Sequence, residues 1–344
     1  MNDISRVGVD IAKNSFFIHA VDSNEKTVWK GEYRRKNWIQ SIVKRVSTEA
    51  VIGIEACGAA HYWARTLQHY GYKVKLIAPQ FVKPYVKTNK NDALDAEAIC
   101  EALGRPNMRF VAIKTVSQQD TQALHRVRED LMKQRTAKVN QIRGLVGEYG
   151  LVAPVGISAI KKAIPLWLED AENNLTSDFR YLLSLLHEDL ETLNTRITLI
   201  TEQITVQVLT FPEAKPLLKV TGIGPIICSA LMTSLGDGKH FKKGRDFAAS
   251  LGLVPRQHSS GGKNTLLGIS KRGNAYLRKL LVHGARSAYR VSHKKNDKLS
   301  CWIQHLLKTK HPNTVVVALA NKLARIAWAM ISKGHDYNEQ LAAS

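Results

Sequence analysis

Four acidic side chains stand where the chain can bring carboxylates together from distant positions. One ends the first predicted strand, one ends a buried strand, and two lie three residues apart at the start of a predicted helix: Asp10, Glu55, Asp92 and Asp95. Strand ends converge on one edge of a sheet, where ligands usually bind, and helix positions three apart share a face. Carboxylates this close repel one another unless cations neutralise them. Hard oxygen ligands select Mg²⁺ or Mn²⁺, and a two-metal site can clamp both oxygens of a phosphoryl displacement.

Each of these acids also has a purely structural interpretation. Asp10 can end its strand in a turn, and Asp92 can cap the N-terminus of its helix beside Asn91. Glu97 offers another carboxylate, but it lies off the face that Asp92 and Asp95 share. The hypothesis of a metal site therefore depends on all four acids together.

A serine hydroxyl in a cationic setting is a second candidate for chemistry. Residues 259–262 read Ser-Ser-Gly-Gly, which predicts a flexible polar loop, and Arg256, His258 and Lys263 flank it. Neighbouring cations lower the pKa of a hydroxyl and hold an approaching phosphate. Ser–Gly segments are usually plain loops, so the spacing alone leaves a structural role open.

A glycine turn in the C-terminal half predicts a contact with nucleic acid. Residues 220–237 resemble a helix-hairpin-helix element in which Gly222 and Gly224 flank Ile223. Such a turn exposes backbone N–H groups at the start of the next helix, and a helix N-terminus binds anions such as a DNA phosphate. The alternative is an ordinary glycine turn that caps a buried helix.

The charge of the chain favours a polyanionic partner. Its 344 residues hold 50 Lys and Arg against 29 Asp and Glu, a formal net charge of +21. Residues 239–310 carry 17 Lys and Arg with two acids, and therefore most of that excess. A positive field of this kind attracts phosphates through counterion release. A solvated basic surface is the alternative, but interspersed glycines, histidines and Tyr289 favour nucleic acid.

Composition excludes several classes of protein. Hydrophobic residues make up 44% of the chain, which excludes intrinsic disorder. No uncharged apolar run reaches the roughly 18–20 residues of a membrane span, and we expect no secretory signal. The four cysteines stand far apart, which argues against a disulfide scaffold or a zinc site and fits a reducing cytosol.

Periodicity predicts the elements that must position the acids. Residues 6–110 alternate between apolar strand patterns and amphipathic helices, which indicates an α/β layout with a mixed sheet. The predicted strands cover residues 6–12, 15–22, 26–33, 51–55 and 73–79, and the predicted helices cover 37–47, 61–70 and 92–103.

Two long helices are predicted to follow. The first, over residues 116–150, is basic and carries a stripe of Leu124, Val127, Leu131, Val139, Ile142 and Leu145. The second spaces its apolar residues by four and three, as in a coiled coil of about three heptads: Leu186, Leu190, Leu193, Ile197, Ile200 and Ile204. Such a seam packs within one chain or joins two chains. Beyond residue 211 we expect short helices joined by glycine turns.

Three acidic motifs and the C-terminal motifs resemble one known family. The segments GVDIAKNSF, GIEACG and NDALDAEAI look like the acidic motifs of the DEDD transposases of bacterial insertion sequences, the Piv/MooV-like recombinases of insertion-sequence family one-ten. G-L-x-P-R at residues 252–256, Ser260–Gly261, and S-K-R-G-x-x-x-L-R at 270–278 are similar to the family's C-terminal transposase domain. The segment PRQHSSGGK looks closest to the eleven-eleven subgroup, and the resemblance covers nearly the whole chain.

The resemblance implies a fold and a site. The fold is a RuvC-like, ribonuclease-H-type α/β domain over residues 1–112, long helices with a coiled-coil segment over 113–210, and a basic, mainly helical transposase domain over 211–344. The four acids become the catalytic metal ligands. The family's nucleophilic serine falls on Ser260. Because Ser259 directly precedes it, Ser259 stays an alternative nucleophile.

The resemblance also implies partners. Double-stranded donor and target DNA is the substrate, a structured bridge RNA guides the reaction, and Mg²⁺ or Mn²⁺ is the cofactor. We expect a homodimer or homotetramer in the bacterial cytoplasm, associated with the nucleoid and not with a membrane. Contacts with nucleic acid are expected from two glycines and five basic residues: Gly222, Gly224, Arg256, Lys263, Lys271, Arg272 and Arg278.

Three other functions are compatible with parts of the sequence. A metal-dependent junction nuclease would use the same acids without covalent serine chemistry. A kinase of actin-like fold would use residues 8–13 as a phosphate loop, but a second D-x-G turn is missing and the basic segment is unnecessary for a small substrate. A nucleic-acid-binding protein with a dead site is disfavoured by the intact acidic set.

Overall fold

The structure is a computed structural model that describes residues 4–86 and 92–334. The chain divides into two compact units, Met1–Thr115 and Val116–Ser344. The finer division into three domains, with boundaries after residues 112 and 210, stays a prediction.

A mixed six-stranded sheet forms the centre of the N-terminal unit. Its strands are β1 (Ile4–Ile11), β2 (Ser15–Asp22), β3 (Thr27–Arg34), β4 (Val51–Glu55), β5 (Lys73–Ile77) and β6 (Phe110–Val111). The strand order is β3-β2-β1-β4-β5-β6; β1, β4 and β5 are parallel, whereas β2, β3 and β6 pair antiparallel to their neighbours. This arrangement agrees with the predicted mixed α/β fold and is compatible with a RuvC-like domain.

The helices of this unit pack on the sheet around an aromatic core. They are α1 (Trp38–Arg45), α2 (Ala60–His69), α3 (Pro79–Val82) and α4 (Asp92–Leu103), with a 3₁₀ turn at Lys83–Tyr85. Phe16 from β2 stacks on Trp38 from α1, with ring centroids 4.7 Å apart, and Trp63 from α2 meets both rings edge-on. Aromatic pairs of this geometry stabilise a core beyond the area that they bury.

Helix α4 approaches β1 more closely than a side chain would allow. A Cβ atom added to Gly8 would lie 2.2 Å from the carbonyl oxygen of Ala96 and 2.5 Å from the backbone nitrogen of Cys100. Only glycine fits this contact. Because Gly8 stands two residues before Asp10, the close packing fixes α4 against the part of β1 that leads to the first acid.

The second unit is mainly helical. Long helices come first, and shorter helices with one β-hairpin follow: α5 (Val116–Gly147), α6 (Ile157–Glu169), α7 (Ser177–Leu209), α8 (Ala214–Leu218), α9 (Pro225–Leu235), α10 (Gly244–Ser250), β7 (Pro255–Ser260), β8 (Lys263–Ile269), α11 (Ala275–Val291), α12 (Lys298–Leu307) and α13 (Pro312–Lys333). The two predicted long helices correspond to α5 and α7. Helix α6 lies in a segment for which the sequence predicted no element.

Helix α7 packs against α5 of the same chain. The predicted seam faces this contact, because all of its residues are buried except Ile200, which is partly buried against Leu131 and Ile197. The apolar stripe therefore has a partner within the chain. A coiled-coil geometry and a dimer formed through this seam stay predictions.

The buried face of α5 differs from the predicted stripe. Val127 is 50% exposed, whereas Thr121 and His125 are buried. His125 Nδ1 lies 2.9 Å from the hydroxyl of Tyr276, and its Nε2 lies 3.0 Å from Ser229 Oγ. Polar groups with satisfied hydrogen bonds can be buried. The stripe was wrong at this end because partners more than 100 residues away decide which face is inside.

The prediction of a flexible loop over residues 259–262 was also wrong, because this segment forms the end of a β-hairpin. Strands β7 and β8 pair antiparallel, and Ser260 stands opposite Lys263. Between them, Gly261 and Gly262 have φ angles of 54° and 77°. A two-residue hairpin turn of type I′ needs positive φ at both central positions, so the glycine pair that indicated a loop instead closes a tight turn.

Within residues 4–86 and 92–334, one helix is long and apolar enough to cross a membrane. This helix is α13, and half of its most apolar stretch is buried inside the protein. Its buried residues belong to the hydrophobic core that also includes α9, α10 and α11. The burial is that of a core helix in a folded domain.

Candidate functional site

The N-terminal unit brings the predicted acids to one edge of its sheet. Val9 and Ile54 are register partners in the parallel pair β1 and β4, and Asp10 and Glu55 are the next residues of the two strands. Helix α4 begins at Asp92, so both of its acids stand in the first turn. Asp10, Asp92 and Asp95 each offer one carboxylate oxygen, and these three oxygens lie within 4.8 Å of one another.

The electrostatics show that the acids act on one another. Burial, together with the charges of Asp95, Asp92 and Glu55, raises the pKa of Asp10 from 3.8 to about 6. Burial also raises the pKa of the Cys57 thiol to about 11, with contributions from Glu55 and Asp10. Glu55 therefore faces the same region as the three aspartates. Like charges this close favour either a shared proton or a bound cation.

Glu97, another carboxylate of α4, belongs to a different set of contacts. Glu97 has a carboxylate oxygen 3.8 Å from His19 Nδ1 and 3.8 Å from Lys30 Nζ. These contacts tie α4 to β2 and β3. Asn91, the neighbour in the alternative helix-cap interpretation, lies outside the described residues.

The β7–β8 hairpin separates its two serines onto opposite faces, because successive strand residues alternate. On one face, Ser259 Oγ donates to Asn264 Oδ1 at 2.9 Å and accepts from Gln257 Nε2 at 2.8 Å. On the other face, Ser260 stands opposite Lys263 in the register. We define the cationic face of the hairpin as Arg256, His258, Ser260, Lys263 and Thr265.

The glycine turn before α9 is tightly packed on one side and open on the other. Gly222 has a φ of 99°, and a Cβ atom added there would lie 2.9 Å from the carbonyl oxygen of Gly284. Gly224 is the N-cap of α9 and is exposed, with Pro225 at the first helical position. Lys295 Nζ donates to Thr221 Oγ1 at 3.3 Å beside the turn. Gly222 thus has a packing role, and Gly224 is accessible.

The basic motif at residues 270–278 divides into exposed and anchored cations. Lys271 and Arg272 are exposed. Arg278 Nη1 instead donates to the carbonyl oxygens of Leu251 at 2.7 Å and Arg272 at 3.3 Å. A Cβ atom added to Gly252 would lie 2.3 Å from the same Arg272 oxygen, so the loop and the G-L-x-P-R segment are in close contact.

Two transposase family models and several known transposases match the sequence of this chain. Residues 7–150 match a transposase family model of the DEDD, IS110 type, and residues 214–300 match the model described as "Transposase IS116/IS110/IS902 family". A "Probable family 20 transposase" of Pseudomonas aeruginosa PAO1 is 47% identical over 336 residues, which cover 97% of this chain and 99% of that protein. This chain belongs to the IS110 family of DEDD transposases.

Other members of the IS110 family are similar along their whole length. The transposase for insertion sequence element IS1328 of Yersinia enterocolitica is 42% identical, with 98% of this chain and 100% of that protein covered. The transposase for IS1111A of Coxiella burnetii is also 42% identical, with coverage of 98% and 92%. The resemblance seen in the sequence motifs is confirmed, and the chain is a DNA transposase.

The acidic cluster fits what a DEDD transposase of the IS110 family requires. Members of this family act on DNA and generally use divalent metal ions. The cluster supplies only carboxylate oxygens, which are the ligands that hard divalent cations prefer. Burial, and after it the charges of Asp95, Asp92 and Glu55, raises the pKa of Asp10, and a bound cation would favour the ionised carboxylate instead.

The predicted site residues thus fall into two groups, one in each unit. The four acids belong to the N-terminal unit, and Ser260 and the predicted nucleic-acid contacts belong to the helical unit. From the sequence, His258 was predicted only as a flanking cation, whereas in the structure it shares a face with Ser260. The alternation R-x-H-x-S could have shown this, because residues two apart point the same way once the segment is a strand.

Proposed function

We propose that this transposase cuts and rejoins DNA strands at a divalent cation held by Asp10, Glu55, Asp92 and Asp95, with Ser260 as the nucleophile. The observation that carries the proposal is the convergence of three aspartate oxygens within 4.8 Å. A bound cation would offset the repulsion among these acids. Mg²⁺ is the expected ion, and Mn²⁺ would fit the same ligands.

The four carboxylates would hold the cation, and Ser260 would form the bond to phosphorus. When bound, a divalent cation supplies charge neutralisation at the reacting phosphate. The four carboxylates orient that charge, and the half-buried position of Asp10 limits competition from water. Ser260 Oγ forms a bond to phosphorus as the bond from phosphorus to a deoxyribose oxygen breaks, which leaves a covalent phosphoserine.

The assignment to Ser260 over Ser259 is supported by the hydrogen bonds of the hairpin. The hydroxyl of Ser259 donates to Asn264 and accepts from Gln257, so its proton and one lone pair are engaged. Ser260 instead lies on the cationic face of the hairpin, opposite Lys263. Cations on that face would attract the phosphate toward the Ser260 hydroxyl.

The nucleic acids are assigned to the basic parts of the second unit. Exposed Arg256, Lys263, Lys271 and Arg272 are suited to DNA phosphates, and the exposed start of α9 at Gly224 adds backbone N–H donors. Gly222 and Arg278 support these surfaces through packing and hydrogen bonds rather than through exposure. The proposal also places a structured bridge RNA on α5. The protein would act as a dimer or tetramer, at the nucleoid in the cytoplasm.

The first test traps the covalent intermediate. The purified protein with its co-purifying RNA is mixed with labelled duplex DNA and Mg²⁺, and the protein–DNA adduct is measured on a denaturing gel. We expect Ser260→Ala and Asp10→Ala each to reduce the adduct by several orders of magnitude while DNA binding is kept. Ser259→Ala is the matched control and should form the adduct.

The outcomes separate this function from its nearest alternative. An adduct that persists in Ser260→Ala but not in Ser259→Ala would move the nucleophile by one residue. Metal-dependent cleavage with no adduct in any variant would instead favour a junction nuclease. Strand exchange that survives ribonuclease treatment would remove the guide RNA from the proposal.

A further inference from the structure

We propose that His258 is the general base that takes the proton from Ser260 when its hydroxyl attacks a DNA phosphodiester. This inference rests on the proposed function, because it assumes the serine chemistry. It assigns a further catalytic residue to the cationic face of the hairpin.

The geometry places an imidazole next to the nucleophile. His258 and Ser260 are two residues apart on β7, so their side chains project from the same face. Two strand positions span about 6.6 Å between Cα atoms, a distance that an imidazole and a hydroxymethyl group can bridge directly or through one water. Catalytic hydrogen bonds often tighten only when substrate binds.

The chemistry of the face leaves His258 as the proton acceptor. The other charged side chains on this face of the described hairpin are Arg256 and Lys263, and guanidinium and ammonium groups are donors only. They suit the phosphate oxygens. An imidazole exchanges its proton near neutral pH and can accept one from a hydroxyl.

The side chains concerned are available for this role. His258, Ser260 and Lys263 are exposed, and within residues 4–86 and 92–334 none of them forms a hydrogen bond to another side chain. The opposite face differs, because Gln257, Ser259 and Asn264 bond to one another there. The hairpin therefore keeps its structural polar contacts on one face and presents free reactive groups on the other.

In the proposed step, Ser260 becomes a phosphate ester and its proton passes to His258. A bond forms between Ser260 Oγ and phosphorus, and the bond between phosphorus and the leaving deoxyribose oxygen breaks. The Oγ proton moves to the unprotonated nitrogen of His258. The leaving oxygen takes a proton from solvent, and His258 returns its proton in the reverse reaction, when a deoxyribose hydroxyl displaces the serine.

The test compares His258→Ala in two nucleophile backgrounds. The measurement is the single-turnover rate of adduct formation from pH 5.5 to 8.5, with DNA affinity measured in parallel. In the wild-type background we expect His258→Ala to slow the reaction by on the order of 10²-fold. The rise of the rate with pH to a plateau should also be lost. In the Ser260→Cys background we expect less than about a tenfold effect, because a thiol ionises near pH 8.5 without a base.

Controls keep the inference separate from the proposed function. His305→Ala removes an exposed histidine on α12 and should leave the rate, the pH profile and the DNA affinity unchanged. If His258→Ala keeps the wild-type rate, or slows both backgrounds equally, the inference is overturned while the serine chemistry stands. If the wild type forms no adduct, or forms one that persists in Ser260→Ala, both proposals fall together.

Discussion

At Asp10, burial and three neighbouring acids all disfavour the carboxylate form. The folded protein holds the Asp10 proton up to a pKa of about 6, whereas the ordinary value is 3.8. The stabilising contribution of this group is therefore fully present below pH 3.8 and is lost as the pH rises through 6. At neutral pH, without a divalent cation, the ionised side chain opposes folding of the N-terminal unit.

We predict that Asp10→Asn stabilises the protein when metal is removed. In EDTA at pH 7.5 the free energy of unfolding should rise by on the order of 1 kcal/mol, a modest figure because solvent screens a half-buried carboxylate. The gain should vanish below pH 3.8. Addition of Mg²⁺ should stabilise the wild type and leave the variant unchanged, as measured by thermal unfolding followed by circular dichroism.

The control for this prediction is another carboxylate on α4. Glu97 lies near Lys30 and His19 rather than among the acids. Glu97→Gln should therefore lower the stability slightly and keep the response to Mg²⁺. A wild type that is indifferent to Mg²⁺, or an Asp10→Asn variant that is less stable in EDTA, would contradict the metal site.

The sequence predicted the acids better than it predicted the serine's surroundings. Asp10 and Glu55 follow apolar strand runs, and parallel pairing makes the ends of such strands meet. The surroundings of Ser260 depend on strand pairing that apolar alternation does not mark, because β7 is exposed along its whole length. The two serines differ in the hydrogen bonds that Gln257 and Asn264 make to Ser259 and in the face of the hairpin on which each stands.

At the scale of elements, three helices of the second unit meet at one buried histidine. His125 on α5 is 3% exposed and lies within hydrogen-bond distance of Tyr276 on α11 and Ser229 on α9. Burial, helped by the charge of Arg128, lowers the pKa of His125 to about 4. The imidazole is thus neutral in the folded protein, where both nitrogens have partners.

This network predicts an acid-dependent loss of stability. The unfolded chain binds a proton at this histidine below about pH 6.5, whereas the folded chain does so only below about 4. The stability should fall as the pH drops from 6.5 to 4, by up to about 3 kcal/mol at 1.36 kcal/mol per pKa unit. Urea unfolding of the wild type and of His125→Asn across this range measures the difference.

The variant His125→Asn separates the effect of His125 on the pH dependence of stability from the effects of the other histidines. His125→Asn should be less stable at pH 7.5, because the network is broken, but should lose less stability on acidification. His240, whose pKa is also lowered by burial, leaves a residual slope in both proteins. His305→Ala should keep the wild-type slope, and equal slopes in His125→Asn and the wild type would refute the assignment.

Most elements that bury an apolar face were predicted within a few residues, whereas a buried polar network and an exposed hairpin were not. Strand alternation located the first five strands of the N-terminal sheet but not the two-residue strand β6, and helix periodicity located α1, α2 and α4. The face of α5 was wrong because Tyr276 and Ser229 allow a histidine inside. The hairpin was missed because its strands bury no face from which a period could be read.

At the scale of the whole molecule, charge is distributed very unevenly. Residues 239–344 hold 20 Lys and Arg against four acids, a net charge of +16, whereas residues 116–238 hold 12 against 14, a net charge of −2. The positive field therefore belongs to the part of the chain that carries the serine hairpin and the basic motif. DNA bound there should be released by salt as its counterions return.

We predict that the exposed pair Lys271 and Arg272 contributes directly to this salt dependence. DNA affinity is measured by fluorescence anisotropy between 50 and 200 mM salt. For two phosphate contacts, the double variant Lys271→Ala/Arg272→Ala should flatten the plot of log affinity against log salt by about 2. The loss of affinity should be equal for unrelated duplex sequences, because phosphate contacts carry no base information.

The control is Lys44, an exposed cation of the N-terminal unit. The variant Lys44→Ala should keep the wild-type slope. A double variant that weakens binding without changing the slope would show that these cations support the loop rather than contact DNA.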